Sequence, residues 1–570
     1  MKIKSLIYLA VAGVLSLSSC NKFLDVVPDN RVNPQTPDQL LLMMVDGYSS
    51  SNYAKFCEFS SDNIADLNSP DAEGVRFNYP SGGVVDDEMF AWQDVKSDMA
   101  QDSPSAIWSG AYHAIAVANH VLEFIDNWEK EGRVFDGADA KKLDAARGEA
   151  YLIRAYNHFV LVNIFSKAYG ANSATDPGIP YVTEPEKKVF VHYERGTVAD
   201  TYAKIEEDLK LGLQYVTDTY YEQAKYHFNK KAAHAFAARF YLFKREYDKV
   251  IDHADYVLGS DASAMMRKYW KTINPTFDSD VLAYIDAKSP SNLLVVPTNS
   301  AFMRSVLGTR YAVVRESAKE TIFGHGPTWD ETGLILHPCF LGKLGLMGDV
   351  GDKGVFLSKV YEIFEYIDKV GGIGYVHNVR VEFTAEETLL CRAEAKIYTK
   401  DFDGAVADLK VWDKARQDLP GNYTFKELTR ELIEEYYDEA KHQAPKDKYD
   451  PRPGLFKKLN VDYVCPSDKY AMTPEMAPYL QCLMHFRRME TIFDGYRWFD
   501  IKRYGIEVTH KIGRDKVDVL TVDDNRRALQ LPFEVISAGI DANNRVPKLE
   551  KPTTTTKFVV CDVRNGMIKK

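Results

Sequence analysis

Apolar residues recur at spacings of three and four along much of this chain, which is the pattern of helices that bury one face. One stripe runs through residues 105–128 and a second through residues 146–165. Their apolar positions are Ile107, Ala111, Ala114, Ala118 and Val121 in the first, and Leu152, Ala155, Phe159 and Val162 in the second. Both segments are therefore predicted to be helices, and a shorter helix is predicted from Pro37 or Asp38 to about Ser50.

Later segments place small residues where two helices must approach closely. These are Ala233, Ala237, Ala238 and Ala254 in one pair of helices, and Ala393, Ala395 and Ala405 in another. Close antiparallel packing of this kind is typical of tetratricopeptide helical hairpins, although a strict repeat period is absent. Thr384 with Glu387 forms the sequence pattern of a capping box, which predicts the start of the second pair.

Two long segments lack helical periodicity. Residues 60–104 are rich in Asp, Ser, Gly and Pro and are predicted to be loop. Residues 262–380 contain VLAYID, LLVVP and RYAVVRES, which are predicted to be short strands, and a glycine at every third position from Gly342 to Gly354. Loops of this length in a compact domain are often functional. We therefore predict a mainly α fold, with tetratricopeptide-like helical hairpins at about 105–260 and 380–416, long irregular insertions at about 60–104 and 262–380, and a few short strands.

The N-terminal pattern predicts export. Two lysines precede an apolar run of 12 residues, Leu6 to Leu17. About 18 Å of helix is too short for a bilayer core of about 30 Å, so a signal peptide fits better than a membrane anchor. Leu17-Ser18-Ser19-Cys20 has the form of a bacterial lipobox, in which the cysteine is lipidated; the alternative is an ordinary signal peptide with a chance cysteine.

The expected organisation follows from this N-terminus. Residues 1–19 are the signal peptide, and residues 20–37 are the lipidated cysteine and a flexible tether. Residues 38–570, whose length fits one large domain or two to three smaller ones, are predicted to be a single domain that ends in a distinctive segment at about 480–545. A net charge of −11 argues against nucleic-acid binding. Six cysteines remain, and their wide spacing is not that of a dense disulfide framework, although it leaves individual pairs open. They are Cys57, Cys339, Cys391, Cys465, Cys482 and Cys561.

Several motifs resemble one family in their order along the chain. The sequence WSGAYHAIAVAN from Trp108 to Asn119 resembles its W-x-x-x-Y-x-x-I-x-x-A-N helix, and LCRAEA from Leu390 to Ala395 resembles its L-x-R-A-E-A helix. The segment RRMETIFDGYRWFD from Arg487 to Asp500 is similar to its most specific motif. Phe486, Thr491 and Asp494 depart from the residues that the family has there. On these motifs the chain resembles the SusD/RagB family of outer-membrane lipoproteins of Bacteroidota.

The resemblance implies a fold, a location and a function. Family members are outer-membrane lipoproteins facing the cell exterior, and they capture oligosaccharides or, in RagB-type members, peptides. They deliver this nutrient to a SusC-like TonB-dependent transporter, and they neither catalyse a reaction nor need a cofactor or metal. The residues themselves leave three alternatives open: peptide capture, a lipid-anchored glycosidase, and a helical scaffold without a small ligand.

The distinctive C-terminal segment carries carboxylates that could suggest a glycosidase, because that chemistry needs a pair of carboxyl groups. Glu490, Asp494 and Asp500 are interleaved with Arg487, Arg488, Arg497 and Arg503. Nearby arginines lower a carboxyl pKa, which is the wrong direction for a general acid. We therefore predict structural ion pairs here and no catalytic residues.

Ligand capture points to aromatic residues on the irregular segments, because sugar rings stack on flat aromatic faces. Trp108, Trp412 and Trp498 lie in helical motifs and are predicted to be core. The ligand-binding candidates are Tyr79, Phe90 and Trp92 in the first insertion, and Tyr311, Phe323 and Trp329 in the second, with Arg310 and Asn299 beside them. Trp92 and Trp329 are the leading candidates.

Overall fold

The structure is a computed structural model that describes most of the chain. The described residues are 33–71, 74–96, 101–187, 191–267, 282–314, 322–323, 326–329, 354–355, 358–417, 425–438, 452–465, 471–545, 549–550, 560–561 and 567–569. The predicted signal peptide, Cys20 and the glycine positions from Gly342 to Gly351 lie outside these residues. Among the described residues, no helix combines the length and apolar composition that crossing a membrane requires.

Helices dominate the described structure, as predicted. Their bounds are α1 Pro37–Met43, α2 Ala54–Phe59, α3 Val84–Phe90, α4 Pro104–Lys130, α5 Gly137–Phe165, α6 Val198–Tyr215, α7 Lys230–Lys244, α8 Tyr247–Leu258, α9 Phe302–Val306, α10 Ala385–Tyr398, α11 Phe402–Gln417, α12 Arg430–Tyr436, α13 Arg452–Leu455, α14 Val461–Val464, α15 Ala477–Thr491, α16 Tyr496–Arg503 and α17 Phe533–Ser537. The mainly α prediction is confirmed.

Most strands are short, and those of the described residues form four antiparallel three-stranded sheets. Their bounds are β1 Ala65–Asp66, β2 Arg76–Phe77, β3 Asn292–Thr298, β4 Tyr311–Val314, β5 Gly354–Val355, β6 Ile363–Asp368, β7 Ile373–Thr384, β8 Val508–Ile512, β9 Lys516–Leu520, β10 Leu549–Glu550, β11 Val560–Cys561 and β12 Met567–Lys569. The sheets have the orders β1-β4-β5, β3-β7-β6, β10-β9-β8 and β11-β12-β2.

Small side chains bring the paired helices together. Helices α7 and α8 pack against each other, and so do α10 and α11, while α8 also packs against α10. Every alanine that the sequence marked at these contacts is fully buried, so the backbones can approach closely. The Thr384 side chain accepts a hydrogen bond from the backbone N–H of Glu387, which fixes the start of α10 as predicted.

Three predictions of local structure are corrected. The segment 60–104 contains helix α3, whose Val85, Met89 and Phe90 are buried; a helix of seven residues is too short to show several turns of periodicity. Residues 282–285 are helical, not a strand. The first helix ends at Met43 and continues only as a 3-10 turn to Gly47.

The strand β7 joins the core to an exposed structure. Its second half pairs with β3, from Asn378 opposite Thr298 to Thr384 opposite Asn292, and is mostly buried. Its first half pairs with β6, and that part of the β6–β7 hairpin projects toward solvent. One strand of 12 residues therefore connects the helical scaffold to a surface feature.

A layer of buried arginine–carboxylate pairs holds α15 and α16 against the rest of the molecule. Arg487 binds Asp500 through two contacts of 3.0 and 3.2 Å. Arg503 binds Asp500 at 2.6 Å and Glu394 of α10 at 2.7 Å. Burial alone would raise the pKa of Asp500, but Arg487 and Arg503 outweigh it and lower that pKa. The predicted structural ion pairs are confirmed.

The same buried layer also contacts the N-terminal segment, through Asp62, and helix α11, through Trp412 and Arg416. Arg497 binds both carboxylate oxygens of Asp62, at 2.7 and 2.9 Å. Glu490 accepts hydrogen bonds from Arg416 and, at 2.8 Å, from the Trp412 indole. Asp494 departs from the expected direction, because burial raises its pKa despite Lys359 at 2.8 Å. Segments distant in sequence are thus joined at one buried layer.

Glu490→Gln is expected to destabilise the fold, because it removes the negative charge that binds the buried Arg416 guanidinium. Breaking one partner of a buried ion pair costs about 3–5 kcal/mol, which urea unfolding would detect. The control is Glu207→Gln on the exposed face of α6, which should leave the unfolding midpoint unchanged. An unaltered midpoint in Glu490→Gln would contradict a structural role for this carboxylate.

Candidate ligand-binding site

Trp92 and Phe90 do not present free faces to a ligand. Trp92 is 2% exposed, stacks on His510 with ring centroids 4.0 Å apart, and donates its indole N–H to the carbonyl of Ser60 at 2.9 Å. Phe90 stacks on the same imidazole at 4.2 Å. The Arg526 guanidinium lies 5.5 Å from the Trp92 ring. The prediction that these rings form a sugar platform is wrong, because the protein itself occupies their surroundings.

The candidates of the second insertion are also buried. Trp329 is 5% exposed, and its neighbours include His485 and Phe486 at ring distances of 5.5 and 6.0 Å. Tyr311 is buried and its hydroxyl donates to Asp87 at 2.5 Å. Phe323 is fully buried. These three aromatic residues belong to the core, so the platform role predicted for them is also wrong.

Three predicted residues keep contact with solvent. Arg310 is half-buried and bound to both oxygens of Asp66, at 2.8 and 2.6 Å, so its guanidinium is already engaged. Tyr79 is partly exposed and stacks on Phe77 at 5.4 Å. Asn299 is exposed, and its backbone N–H donates to Ser50. Of the predicted set, Tyr79 and Asn299 remain available to a ligand.

The helical tryptophans are core, as predicted. Trp412 and Trp498 are 1% and 0% exposed, and Trp108 is 8% exposed. The carboxylates of the C-terminal segment are also out of reach, since Glu490 and Asp500 are buried among arginines. Among the described residues, no group of three or more His, Cys, Asp or Glu side chains is placed to hold a metal ion. The four cysteines whose side chains are described are free thiols.

The β6–β7 hairpin carries the exposed aromatic residues that the sequence analysis missed. We call its residues 363–377 the aromatic hairpin. Phe364, Tyr366 and Tyr375 are 45%, 52% and 47% exposed. Exposed apolar side chains are common singly, but several large exposed rings on one short hairpin are typical of a binding surface. The signal in the sequence was IFEYID and IGYVHN on either side of a glycine turn, a pattern typical of a β-hairpin.

One face of the aromatic hairpin is an apolar platform. Register places Phe364 opposite Val376 and Tyr366 opposite Gly374. The Phe364 ring lies over Gly374, where an added Cβ would come within 2.7 Å of it. Phe364 and Tyr366 meet edge to face, with centroids 4.8 Å apart. The glycine therefore makes room for two adjacent rings on one surface.

The opposite face is polar. Tyr375 donates its hydroxyl to Glu365 at 2.9 Å, and His377 lies 3.7 Å from the same carboxylate. The hydrogen bond to Glu365 raises the pKa of Tyr375. This face combines an aromatic ring with groups that can hydrogen-bond hydroxyls.

The tip and base of the aromatic hairpin are both fixed. At the tip, Asp368 accepts hydrogen bonds from the backbone N–H groups of Val370 and Gly371, at 2.9 and 3.0 Å. At the base, Arg304 binds Glu362 at 2.8 Å and Gln101 at 3.0 Å. Asn299 follows Thr298, which pairs with Asn378 of β7, so this exposed amide lies close to the hairpin base. The candidate site is therefore the aromatic hairpin with Asn299.

Comparisons with known proteins agree on one family. The family model SusD-like_3, described as starch-binding and associating with the outer membrane, matches residues 22–242. The SusD-like protein P2 of Formosa agariphila is 24% identical over 163 residues. That match covers 29% of this chain and only 28% of the relative's length.

Solved structures extend the likeness to nearly the whole chain. A SusD superfamily protein from Bacteroides thetaiotaomicron matches with a TM-score of 0.54 at 17% identity, over 90% of this chain and 100% of that one. Another from Bacteroides vulgatus matches with a TM-score of 0.53 at 18% identity, over the same shares. Similarity at this level of identity shows the fold. The chain is therefore similar to SusD-like proteins over residues 22–242 and shares the fold of SusD superfamily structures over 90% of its length.

Proposed function

We propose that this protein is a cell-surface lipoprotein that binds oligosaccharides on the aromatic hairpin and delivers them to a SusC-like TonB-dependent transporter. The observation that carries the proposal is the group of exposed rings on β6 and β7, in a chain whose residues 22–242 match a starch-binding family. That family is associated with the outer membrane, which supports the location.

The chemistry of the hairpin suits a sugar. Phe364 and Tyr366 offer flat apolar surface for the C–H face of a pyranose ring, and aromatic packing of this kind is worth about 0.5–1.5 kcal/mol beyond the area that it buries. Asn299 near the base of the hairpin supplies a hydrogen-bonding group for hydroxyls, and Glu365 and Tyr375 offer a carboxylate and a ring on the opposite face. The arrangement can bind and orient a glycan, and no step of bond cleavage is assigned to it.

The proposal also covers the organisation of the chain. Residues 1–19 act as signal peptide, Cys20 carries the lipid, residues 20–37 form the tether, and residues 38–570 form one domain. One contiguous core runs from Leu40 to Leu531 among the described residues, which supports a single domain. Peptide capture is the principal alternative, and a peptide would be expected to pair with exposed backbone more than with ring faces.

Replacing Cys20 tests the anchor. Because lipidation requires the thiol, Cys20→Ala is expected to remove acyl label from the protein and to release it from the membrane fraction. Cys465→Ala, at a free thiol in the folded domain, is the matched control and should remain in the membrane. Retention of label and membrane association in Cys20→Ala would contradict the assignment.

Replacing the exposed rings tests the platform. Phe364→Ala and Tyr366→Ala are each expected to weaken binding of the cognate oligosaccharide by about 1–2 kcal/mol, or about five- to thirty-fold, in calorimetric titration. Tyr463→Ala removes an equally exposed tyrosine of α14 and should bind as the unaltered protein does. If both hairpin variants keep full affinity, the glycan binds elsewhere. Release of reducing sugar by the purified protein would favour the glycosidase alternative.

Replacing the buried Trp92 distinguishes a role in core packing from a role in ligand binding. Trp92→Ala is expected to lower the free energy of unfolding by about 3–5 kcal/mol, because it leaves a cavity beside His510. The folded fraction should bind the oligosaccharide with unchanged affinity. A variant with unaltered melting temperature and lost binding would instead restore Trp92 as a ligand platform.

A further inference from the structure

A second concave site lies on different elements from the aromatic hairpin. Its volume is about 380 Å³, and its walls come from α4, from residues 180–186 and 191–193, and from α17 with the residues just after it. A volume of this order lies within the range of ligand-binding pockets. We call it the α4 pocket. Three separate segments of the chain converge on it.

The walls of the α4 pocket are held by hydrogen bonds. Trp108, Tyr112 and Ile115 lie on one face of α4, where their spacing brings them into line. The Tyr112 hydroxyl donates to the carbonyl of Pro180 at 2.7 Å, and the Asn119 amide donates to the carbonyl of Val182 at 3.1 Å. These bonds fix residues 180–182 against the helix, so the pocket is already formed.

Aliphatic side chains make up half of the lining. Eight of the 16 lining residues are aliphatic or proline, namely Ile115, Ala116, Pro180, Val182, Val191, Val535, Ala538 and Ile540. Val191 is 42% exposed, and Phe533 on the same helix as Val535 is 61% exposed. The aliphatic walls favour an apolar group, while the other lining residues, among them Trp108, Tyr112 and Asn119, are aromatic or polar. Exposed apolar groups around a pocket favour an apolar side chain as its occupant.

The rim of the α4 pocket is acidic. Glu184 and Glu186 line it and are exposed, and Glu186 accepts a hydrogen bond from Tyr193 at 2.7 Å. Glu123 lies beside it and is paired with Lys187 at 2.6 Å. The carboxylates of the described rim thus outnumber its lysines. A positively charged group next to the apolar occupant would complement this rim.

From this apolar interior and acidic rim, we propose that the α4 pocket binds a segment of a partner protein. The segment inserts one aromatic or branched aliphatic side chain between α4 and α17, and it places an adjacent lysine or arginine against Glu184 and Glu186. The inference is independent of the glycan proposal, because the two sites share no residue.

The test uses two blocked hexapeptides as probes, acetyl-Gly-Ala-Phe-Lys-Ala-Gly-amide and its counterpart with glutamate in place of lysine. Ligand-observed NMR titration of the full chain is expected to show at least ten-fold tighter binding of the lysine peptide. Ala116→Trp fills the pocket from an exposed helix position and should weaken that binding at least ten-fold. Ala407→Trp, at an exposed position of α11, is the matched control and should bind normally.

The same titrations test the role of the rim carboxylates and whether the peptide binds in the α4 pocket. The double variant Glu184→Gln, Glu186→Gln should lose the preference for the lysine peptide and the weakening of its binding by added salt. Tyr366→Ala should leave peptide binding unchanged. Absence of binding at millimolar peptide, equal affinity for both peptides, or full affinity in Ala116→Trp would each overturn the proposal. Loss of oligosaccharide binding in Ala116→Trp would also overturn it, because the pocket would then be a glycan site.

Discussion

The arginine–carboxylate layer beneath α15 and α16 is the constraint on which the other parts of the structure depend. It joins the N-terminal segment through Asp62, the helical hairpins through Glu394 and Glu490, and the C-terminal segment through Asp500. Buried charges are costly unless each finds its partner, so the segments must arrive in one arrangement for the layer to form. This requirement explains why so polar a segment as residues 487–503 lies in the interior.

The sequence predicted the elements that depend on interactions between neighbouring residues. Stripes at helical spacing, alanines at close contacts and the Thr384 cap are all properties of a few neighbouring residues, and the structure shows them as expected. The ion pairs of residues 487–503 were also predictable, because arginines and carboxylates that alternate over a short segment can neutralise one another. Short helix α3 was missed, since seven residues contain too little periodicity.

The ligand site was harder to predict because exposure is not a local property. Trp92 and Tyr366 both lie outside the long helices, and the alternation around Tyr366 predicts a hairpin without showing which of its side chains stay exposed. The difference arises from distant residues: His510 covers Trp92, whereas the described structure leaves half of Tyr366 open. Of the predicted set, Arg310, Tyr79 and Asn299 reach solvent, whereas the exposed rings lie on the hairpin of residues 363–377.

The continuity of strand β7 limits which insertions and deletions the exposed hairpin can accept. Its residues alternate between two faces, and the same strand continues into the buried register with β3 and then into the cap of α10. Adding or removing one residue near Tyr375 would exchange the apolar and polar faces of the hairpin, whereas a change of two residues would preserve them. Because the buried half is anchored by β3, the exposed half can lengthen or shorten in steps of two without disturbing the scaffold. Diversification of ligand preference in this fold would then favour hairpins whose strands differ by even numbers of residues.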